Sequence, residues 1–309
     1  MKILITGHTG FIGSSLTPIL AKNNQVYCLQ NDLLDFDLVT KEVLDYSPDV
    51  IVHLAARTEV EKSFYEQITF SQINYVGSVN LIEAASKISN LKLFVFASTM
   101  EVYGWQPISD EVKLHGIPKR LQVFDENTQP NPNAPYAVAK YAVEKYLEYA
   151  HRCLRLPYTI IRQTNSYGRK DNNFFVTEQI ISQMISNPDE IYLGYAEPYR
   201  NFLYIDDLID AWVKVINNPE VCQNKIFTLG PNNAIKIKDY AKIIASKIGW
   251  QGKIIWNSKP KRPGEIYYLN SSHELIYNTL GWQPRVSIDN GLDKTIEIVK
   301  NNLELLEIK

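Results

Sequence analysis

Tyr136 and Lys140 stand four residues apart in Tyr136-Ala137-Val138-Ala139-Lys140, a spacing that places a phenol and an ammonium on one face of a helix. A free phenol titrates at about 10 and is a poor base at neutral pH. A nearby cation favours the phenolate, so such a tyrosine can take a hydroxyl proton while hydride leaves the same carbon. The pair follows Asn133-Ala134-Pro135 and lies downstream of Ser98-Thr99-Met100-Glu101-Val102-Tyr103-Gly104, which closes an apolar run. The chemistry indicated is oxidation of an alcohol.

Such an oxidation needs a hydride acceptor, and the N-terminal glycines offer it a seat. Gly7-His8-Thr9-Gly10-Phe11-Ile12-Gly13 joins the first apolar run to the first helical segment. Glycine permits the tight turn there, and the missing side chains let a pyrophosphate reach the backbone and the helix N-terminus. The spacing is GxxGxxG rather than GxGxxG; its position directly after a strand gives it weight. The second strand ends at Leu29-Gln30-Asn31-Asp32. Asp32 has the separation from the glycines at which a carboxylate holds the ribose hydroxyls of NAD, and Asp32-Leu33 can equally begin the loop that contacts adenine. No arginine precedes Arg57, so the options for a cation on the 2′-phosphate of NADP are poor and NAD is the expected cofactor.

These groups need a frame, and the first half of the chain supplies one. Short apolar runs at Ile3–Ile5, Val26–Leu29, Val50–Leu54, Leu93–Ala97 and Thr159–Ile161 alternate with helical patterns at Ser14–Lys22, Leu38–Tyr46, Phe70–Ala85 and Tyr136–Arg152. This alternation predicts an α/β fold: a Rossmann-type, doubly wound parallel sheet with helices on both faces. Beyond it, helical patterns at Val176–Ile185, Leu208–Ile216 and Ile237–Ile248 are separated by loops rich in Asn, Pro and Gly. The expected division is an NAD-binding domain over 1–168 carrying the catalytic residues and a smaller α+β substrate domain over 169–309, with some of the chain crossing back.

With 309 residues, 45% of them hydrophobic, the chain can bury a large core without metals or disulfides. A net charge of −2 gives no electrostatic case for nucleic acid or a membrane surface. No apolar run approaches the roughly 20 residues of a membrane-spanning helix. The three cysteines are far apart, no metal-ligand spacing occurs, and the sequence opens on a strand rather than a leader, so a cytoplasmic, metal-free protein is expected.

Together GxxGxxG, His53-Leu54-Ala55-Ala56, S-T-x-E-V-Y-G, P-Y-x-x-x-K and R-x-x-N-x-Y-G (Arg162–Gly168) resemble the extended short-chain dehydrogenase/reductase family. The closer likeness is to its nucleotide-sugar epimerases and dehydratases, whose C-terminal motifs are matched by Arg200–Asp207 and by Arg262-Pro263-Gly264-Glu265. The resemblance implies that Thr99 bonds the sugar 4-hydroxyl beside Tyr136 and that Lys140 holds the nicotinamide ribose. It implies that Leu54, Ala55, Ala56 and Asn74 line the cofactor channel and that Phe11 and Ile12 offer amides to the pyrophosphate. Asn165, Arg200 and Arg262 would hold the nucleotide diphosphate, a task that suits planar guanidinium forks. A homodimer through the helices near Phe70–Ala85 and Tyr136–Arg152 is implied as well.

The fate of the oxidised sugar turns on Met100 and Glu101. In the 4,6-dehydratases that this chain resembles, the pattern at 99–101 is Thr-Asp-Glu, with the aspartate assisting departure of the 6-hydroxyl and the glutamate removing the proton at carbon 5. Glu101 is kept, but a thioether at 100 cannot donate a proton. The reading therefore leans to a 4-epimerase, with a dehydratase or decarboxylase using Glu101 as the alternative. A 4-keto-sugar reductase and a non-catalytic NAD-binding regulator are the more distant options. Between Gly104 and Asn127 the chain is about ten residues longer than the resemblance leads one to expect, giving either a surface loop or a lid. Asn173, in Asp171–Phe175, stands where sugar or phosphate contacts are expected.

Overall fold

The computed structural model describes residues 1–116, 122–170, 174–260 and 262–302. The chain begins β1 (Lys2–Thr6), α1 (Phe11–Leu20), β2 (Gln25–Cys28), α2 (Phe36–Tyr46) and β3 (Val50–His53). Short helices α3 (Val60–Ser63) and α4 (Gln67–Ser71) come next, then a π-helical stretch at Gln72–Val76 that runs into α5 (Gly77–Ala85). Beyond these lie β4 (Leu93–Thr99), a 3₁₀ turn at Met100–Tyr103, α6 (Pro107–His115), α7 (Pro135–Leu154), β5 (Tyr158–Gln163) and β6 (Asn165–Tyr167). The remainder comprises α8 (Val176–Ser186), β7 (Glu190–Tyr192), β8 (Tyr199–Arg200), β9 (Phe202–Tyr204), α9 (Ile205–Asn217) and α10 (Pro219–Cys222). It continues through β10 (Lys225–Leu229), β11 (Ile235–Lys236), α11 (Ile237–Ile248), β12 (Lys253–Ile255), α12 (Glu274–Leu280) and α13 (Ile288–Asn301).

Six strands make the central sheet in the order β10-β5-β4-β3-β1-β2, all parallel. Its apolar strands read as continuous runs because both faces are covered. Alternate residues divide between two cores: Ile3, Ile5, Val50, Val52, Leu93 and Val95 pack with α1, α8 and α9, whereas Leu4, Ile51, Phe94, Phe96 and Ile160 pack with α2, α5 and α7. Strand order reverses between β1 and β3, and in an open sheet of this kind the crevice beyond the strands' carboxyl ends at such a point is the ligand site.

The five strands expected from the sequence are present within a residue or two. The sixth, β10, comes from beyond residue 168 and pairs with β5 from Lys225↔Thr159 to Leu229↔Gln163. Its Lys-Ile-Phe-Thr-Leu run carries an apolar alternation too short to stand out beside α9. The insertion after Gly104 contains a helix, α6, whose Ile108 and Val112 join Met100, Tyr103, Phe124, Tyr268 and Leu269 in a third apolar cluster. The segment is stitched down: Phe124 N donates to Asn270 O at 2.7 Å, Ser272 N to Phe124 O at 2.8 Å, and Thr228 N and Oγ1 to the Glu126 carboxylate at 2.7 and 2.8 Å. The described residues of the insertion thus sit behind the Met100–Tyr103 turn and do not line the cavity, which corrects the lid reading for that part; Lys119 and Arg120 lie outside the described residues.

Candidate active site

A cavity of about 710 Å³ opens beyond the carboxyl ends of β1, β3, β4 and β5. The turn after β1 forms one wall. Gly7 adopts φ +70°, and a Cβ there would lie 2.7 Å from the backbone of Ala55; a Cβ on Gly13 would lie 2.2 Å from Gly7 O. Only bare backbone lets β1, the turn and α1 approach so closely. A Cβ on Gly10, by contrast, would meet nothing nearer than Gly7 O at 3.3 Å, so the missing side chain leaves cavity. No side chain caps α1 and no acid lies in its first turn, so the amides at its start and their partial positive charge are left for an anion.

The opposite wall carries the residues suited to alcohol oxidation. Pro135 starts α7, where its missing N–H is no loss, and the helix brings Tyr136 and Lys140 to the ends of β4 and β5. Thr99 caps the 3₁₀ turn, its Oγ1 accepting from Glu101 N at 3.2 Å, and its hydroxyl lies beside the Tyr136 phenol. Burial holds the Tyr136 phenol above its usual range, the neighbouring Thr99 hydroxyl draws it back, and Glu101 raises it again. Lys140 Nζ donates to Ala97 O at 2.8 Å and lies over the Phe96 ring. Burial draws this ammonium down to about 7, and Glu144 works against the fall. Spacing therefore puts Tyr136 and Lys140 on one face, as expected, but the group beside the Tyr136 phenol is the Thr99 hydroxyl and the lysine is tied to the sheet.

Of the residues singled out from sequence, the cavity gathers Gly7, Gly10, Phe11, Ile12, Gly13, Leu54, Ala55, Ala56, Thr99, Glu101, Tyr136, Lys140, Asn165, Arg200 and Arg262. Glu101 faces the cavity deep in the molecule. Burial pushes its carboxyl up, the Arg200 and Arg262 guanidiniums pull it down, and Glu265 pushes it up again. Arg200 pairs with Glu265 at 3.4 Å and Arg262 with Glu61 at 3.7 Å.

Three expected residues lie elsewhere. Asn74, in the π-helical stretch, is set back from the lining: its amide accepts from Arg57 N and donates to Arg57 O, both at 2.8 Å, fixing the loop after β3. Asp32 is set at the sheet edge and accepts from Leu34 N at 2.9 Å. Leu33 packs on the α2–α5 side, where its carbonyl accepts from Asn80 at 2.8 Å. Asn173 lies outside the described residues. Met100 turns away from the cavity into the third cluster, 1% exposed, and its sulfur accepts from Thr164 Oγ1 at 2.8 Å.

Sequence reasoning missed Gln163, Arg169 and Glu265. The buried Oε1 of Gln163 lines the cavity with no protein donor. The Arg169 guanidinium sits between the Phe11 and Phe175 rings, 4.0 and 3.8 Å from their centroids, and pairs with buried Glu178. Arg169 directly follows the R-x-x-N-x-Y-G motif, which is the one signal that could have found it.

A glycine cradle beneath an uncapped helix start, small residues at 55 and 56, a buried lysine and an unanswered amide oxygen fit a dinucleotide. Residues 3–230 match the NAD dependent epimerase/dehydratase family. The chain belongs to that family. It is an NAD-dependent enzyme of the epimerase/dehydratase type, and its cofactor is NAD. A Methanocaldococcus jannaschii protein provisionally named UDP-glucose 4-epimerase is 29% identical over 97% of this chain and 99% of its own. The dTDP-D-glucose 4,6-dehydratase of Dictyostelium discoideum is 27% identical over 97% and 82%. Among solved structures, the UDP-glucose 4-epimerase of Thermotoga maritima with UDP-glucose superposes with a TM-score of 0.85, at 26% identity, over 98% of this chain and 100% of that one. Members of both reaction types thus share the whole length of this fold.

Proposed function

We propose that the chain is a nucleotide-sugar 4-epimerase that retains its NAD. Gly7, Gly10 and Gly13, with the amides of Phe11 and Ile12, would hold the pyrophosphate, and Lys140 the nicotinamide ribose. Asp32, just beyond the end of β2, would reach the adenosine ribose from the sheet edge. Bound NAD supplies a hydride acceptor and donor and a positive charge that favours the phenolate. Arg200, Arg262 and Asn165 would bind the substrate's diphosphate, and Asn173 a sugar or phosphate oxygen. Tyr136, its hydroxyl steadied by Thr99, takes the proton of the sugar 4-hydroxyl as the carbon is oxidised to the ketone. It returns that proton when the ketone, turned over in the cavity, is reduced on its other face. Glu101 binds a sugar hydroxyl.

The observation that carries this reading is the side chain of Met100. It is sealed in the apolar cluster behind the turn, and a thioether has no proton to give. That leaves Glu101 as the single carboxylate that the 99–101 turn offers to the cavity. Glu101 also supports the second reading, dehydration or decarboxylation, since its raised carboxyl faces the cavity. Incubation with UDP-, dTDP-, GDP- and CDP-hexoses separates the two. The expected product is a sugar of unchanged mass with inverted carbon 4; loss of water or carbon dioxide identifies the second reading. Steady consumption of added NADH by a 4-keto sugar would identify a reductase instead. A homodimer is part of the proposal, supported by the exposed apolar side chains of Tyr65, Ile68, Val76, Val138 and Tyr149 on the α3–α5 and α7 surface. A monomer by light scattering would remove it.

A further inference from the structure

Gln163 closes β5 at the cavity wall, and the protein leaves its side-chain amide unanswered. The backbone there is paired on both sides, with Thr99 of β4 and Leu229 of β10, so the sheet fixes the position. The preceding residues of the two strands, Ser98 and Arg162, both bond Glu144 of α7. Alternation therefore sends Thr99 and Gln163 to the other face together. The Gln163 Oε1 is buried, and no hydrogen bond among the described residues holds either end of the amide. A buried amide oxygen without a donor is destabilising, and native proteins satisfy nearly all of them. One set on a cavity wall points to a donor carried by the ligand.

The strand order indicates which part of the ligand that is. From one edge the strand ends run β2, β1, β3, β4, β5, about 4.8 Å apart. Asp32 stands just beyond β2, the glycine turn follows β1, and Lys140 is tied to Ala97 of β4. A dinucleotide with its pyrophosphate at the glycine turn and its nicotinamide ribose on Lys140 is already at β4. The next strand end along the same course is that of β5, and the next part of the cofactor is the nicotinamide. We propose that Gln163 binds the carboxamide of the nicotinamide, its oxygen accepting from the carboxamide NH2, and so fixes the rotation of the ring that exchanges hydride with the sugar. The proposal rests on the reading of Lys140 as the residue that holds the nicotinamide ribose. A primary amide suits the task, because a half-turn of its terminal bond exchanges oxygen and NH2. No hydrogen bond among the described residues resists that turn, so the oxygen can be presented to the cavity.

The test uses no sugar turnover, so its failure and that of the epimerase reading are separable. Purified protein is equilibrated with an excess of an equimolar mixture of NAD and 3-acetylpyridine adenine dinucleotide, whose methyl ketone accepts a hydrogen bond but cannot donate one. Free nucleotide is removed, and the ratio of the two bound forms is read by mass spectrometry. The wild type should favour NAD by about three- to tenfold, the worth of one neutral hydrogen bond. In Gln163→Leu the preference should fall to near unity, and in Gln163→Glu, which keeps an acceptor oxygen, it should persist. Nucleotide still bound by the variants reports an intact cofactor site. If Gln163→Leu does not fold, Gln163→Met, closer in length to glutamine, carries the same expectation. A variant without the amide that favours NAD as strongly as the wild type overturns the proposal, as does a wild type that binds the two equally. An unmoved ratio accompanied by weakened binding of UDP-glucose also overturns it and gives the amide to a sugar hydroxyl.

Discussion

Replacing Met100 with aspartate restores the acid expected at this position in a dehydratase, and the structure predicts that the enzyme will not become one. The Met100 side chain is 1% exposed and packs against Tyr103, Ile108, Val112, Phe124 and Tyr268. Removing a buried side chain of this size forfeits about 1.5–3 kcal/mol of apolar burial. The incoming carboxyl has the Thr164 hydroxyl as its hydrogen-bonding neighbour, and a poorly satisfied polar group in such a place adds about 1–3 kcal/mol. A total of about 2.5–6 kcal/mol, at about 2–3 °C per kcal/mol for a chain of this size, lowers the melting temperature by roughly 5–18 °C. Met100→Leu conserves volume and should stay within about 1.5 kcal/mol of wild type. Differential scanning calorimetry measures the loss of stability, and mass spectrometry of the nucleotide-sugar product identifies the reaction. A Met100→Asp protein that melts with the wild type and yields dehydrated product would refute the placement of this side chain and the reasoning built on it.

Tyr136→Phe should keep its bound NAD and lower turnover by about 10²–10⁴-fold, as loss of an acid–base group does; single-turnover kinetics with the retained cofactor quantified will show it, and a loss of only a few-fold would displace Tyr136 from its role. Arg200→Ala removes a charge-assisted contact worth about 1.5–3 kcal/mol, so the nucleoside diphosphate should bind about ten- to a hundredfold more weakly by calorimetry. Unchanged affinity would leave Arg200 to its bonds with the Tyr199 carbonyl and Glu265. His53 is lowered by burial from 6.5 to about 3, so between those values the unfolded chain binds the extra proton and stability falls as pH falls, with a slope approaching about 1.4 kcal/mol per pH unit. His53→Gln should flatten that slope in urea unfolding across the window, and an equally steep slope in the variant would assign acid sensitivity to other groups.

The sheet and the gathering of Thr99, Tyr136 and Lys140 beside the glycine turn were legible in the sequence because each rests on short-range pattern: short apolar runs between helical segments, a glycine turn after a strand, and a four-residue step on a helix. The same step continues to Glu144, but a carboxylate on a helix reads as solvated surface until β4 and β5 are seen to enclose it. Asn74 resembles a cavity residue by position, yet the π-helical stretch turns its amide onto Arg57, a detail set by tertiary packing rather than by local sequence. Arg169 and Glu265 become cavity residues only when chain segments far apart in sequence converge. Met100 is the most informative departure in the sequence, and its direction, which decides what it means, comes only from the cluster formed with the insertion.

The sixth strand also has a bearing on how the protein is made. β5 carries part of the cavity wall at Gln163, and its outer edge is closed by β10, some sixty residues further along the chain. Asn224 N bonds Tyr158 O at 2.6 Å, and Thr159 Oγ1 bonds Cys222 O at 2.6 Å, so the seam is knitted at its near end as well. On the ribosome, a nascent chain that has delivered the glycine turn and the Tyr136 helix still displays β5 as a bare strand edge, the kind of surface that recruits other strands. The exposed interval lasts until Leu229 has emerged. Synthesis that pauses between residues 170 and 225 should yield aggregated nascent chains, whereas a pause after β10 should yield soluble ones.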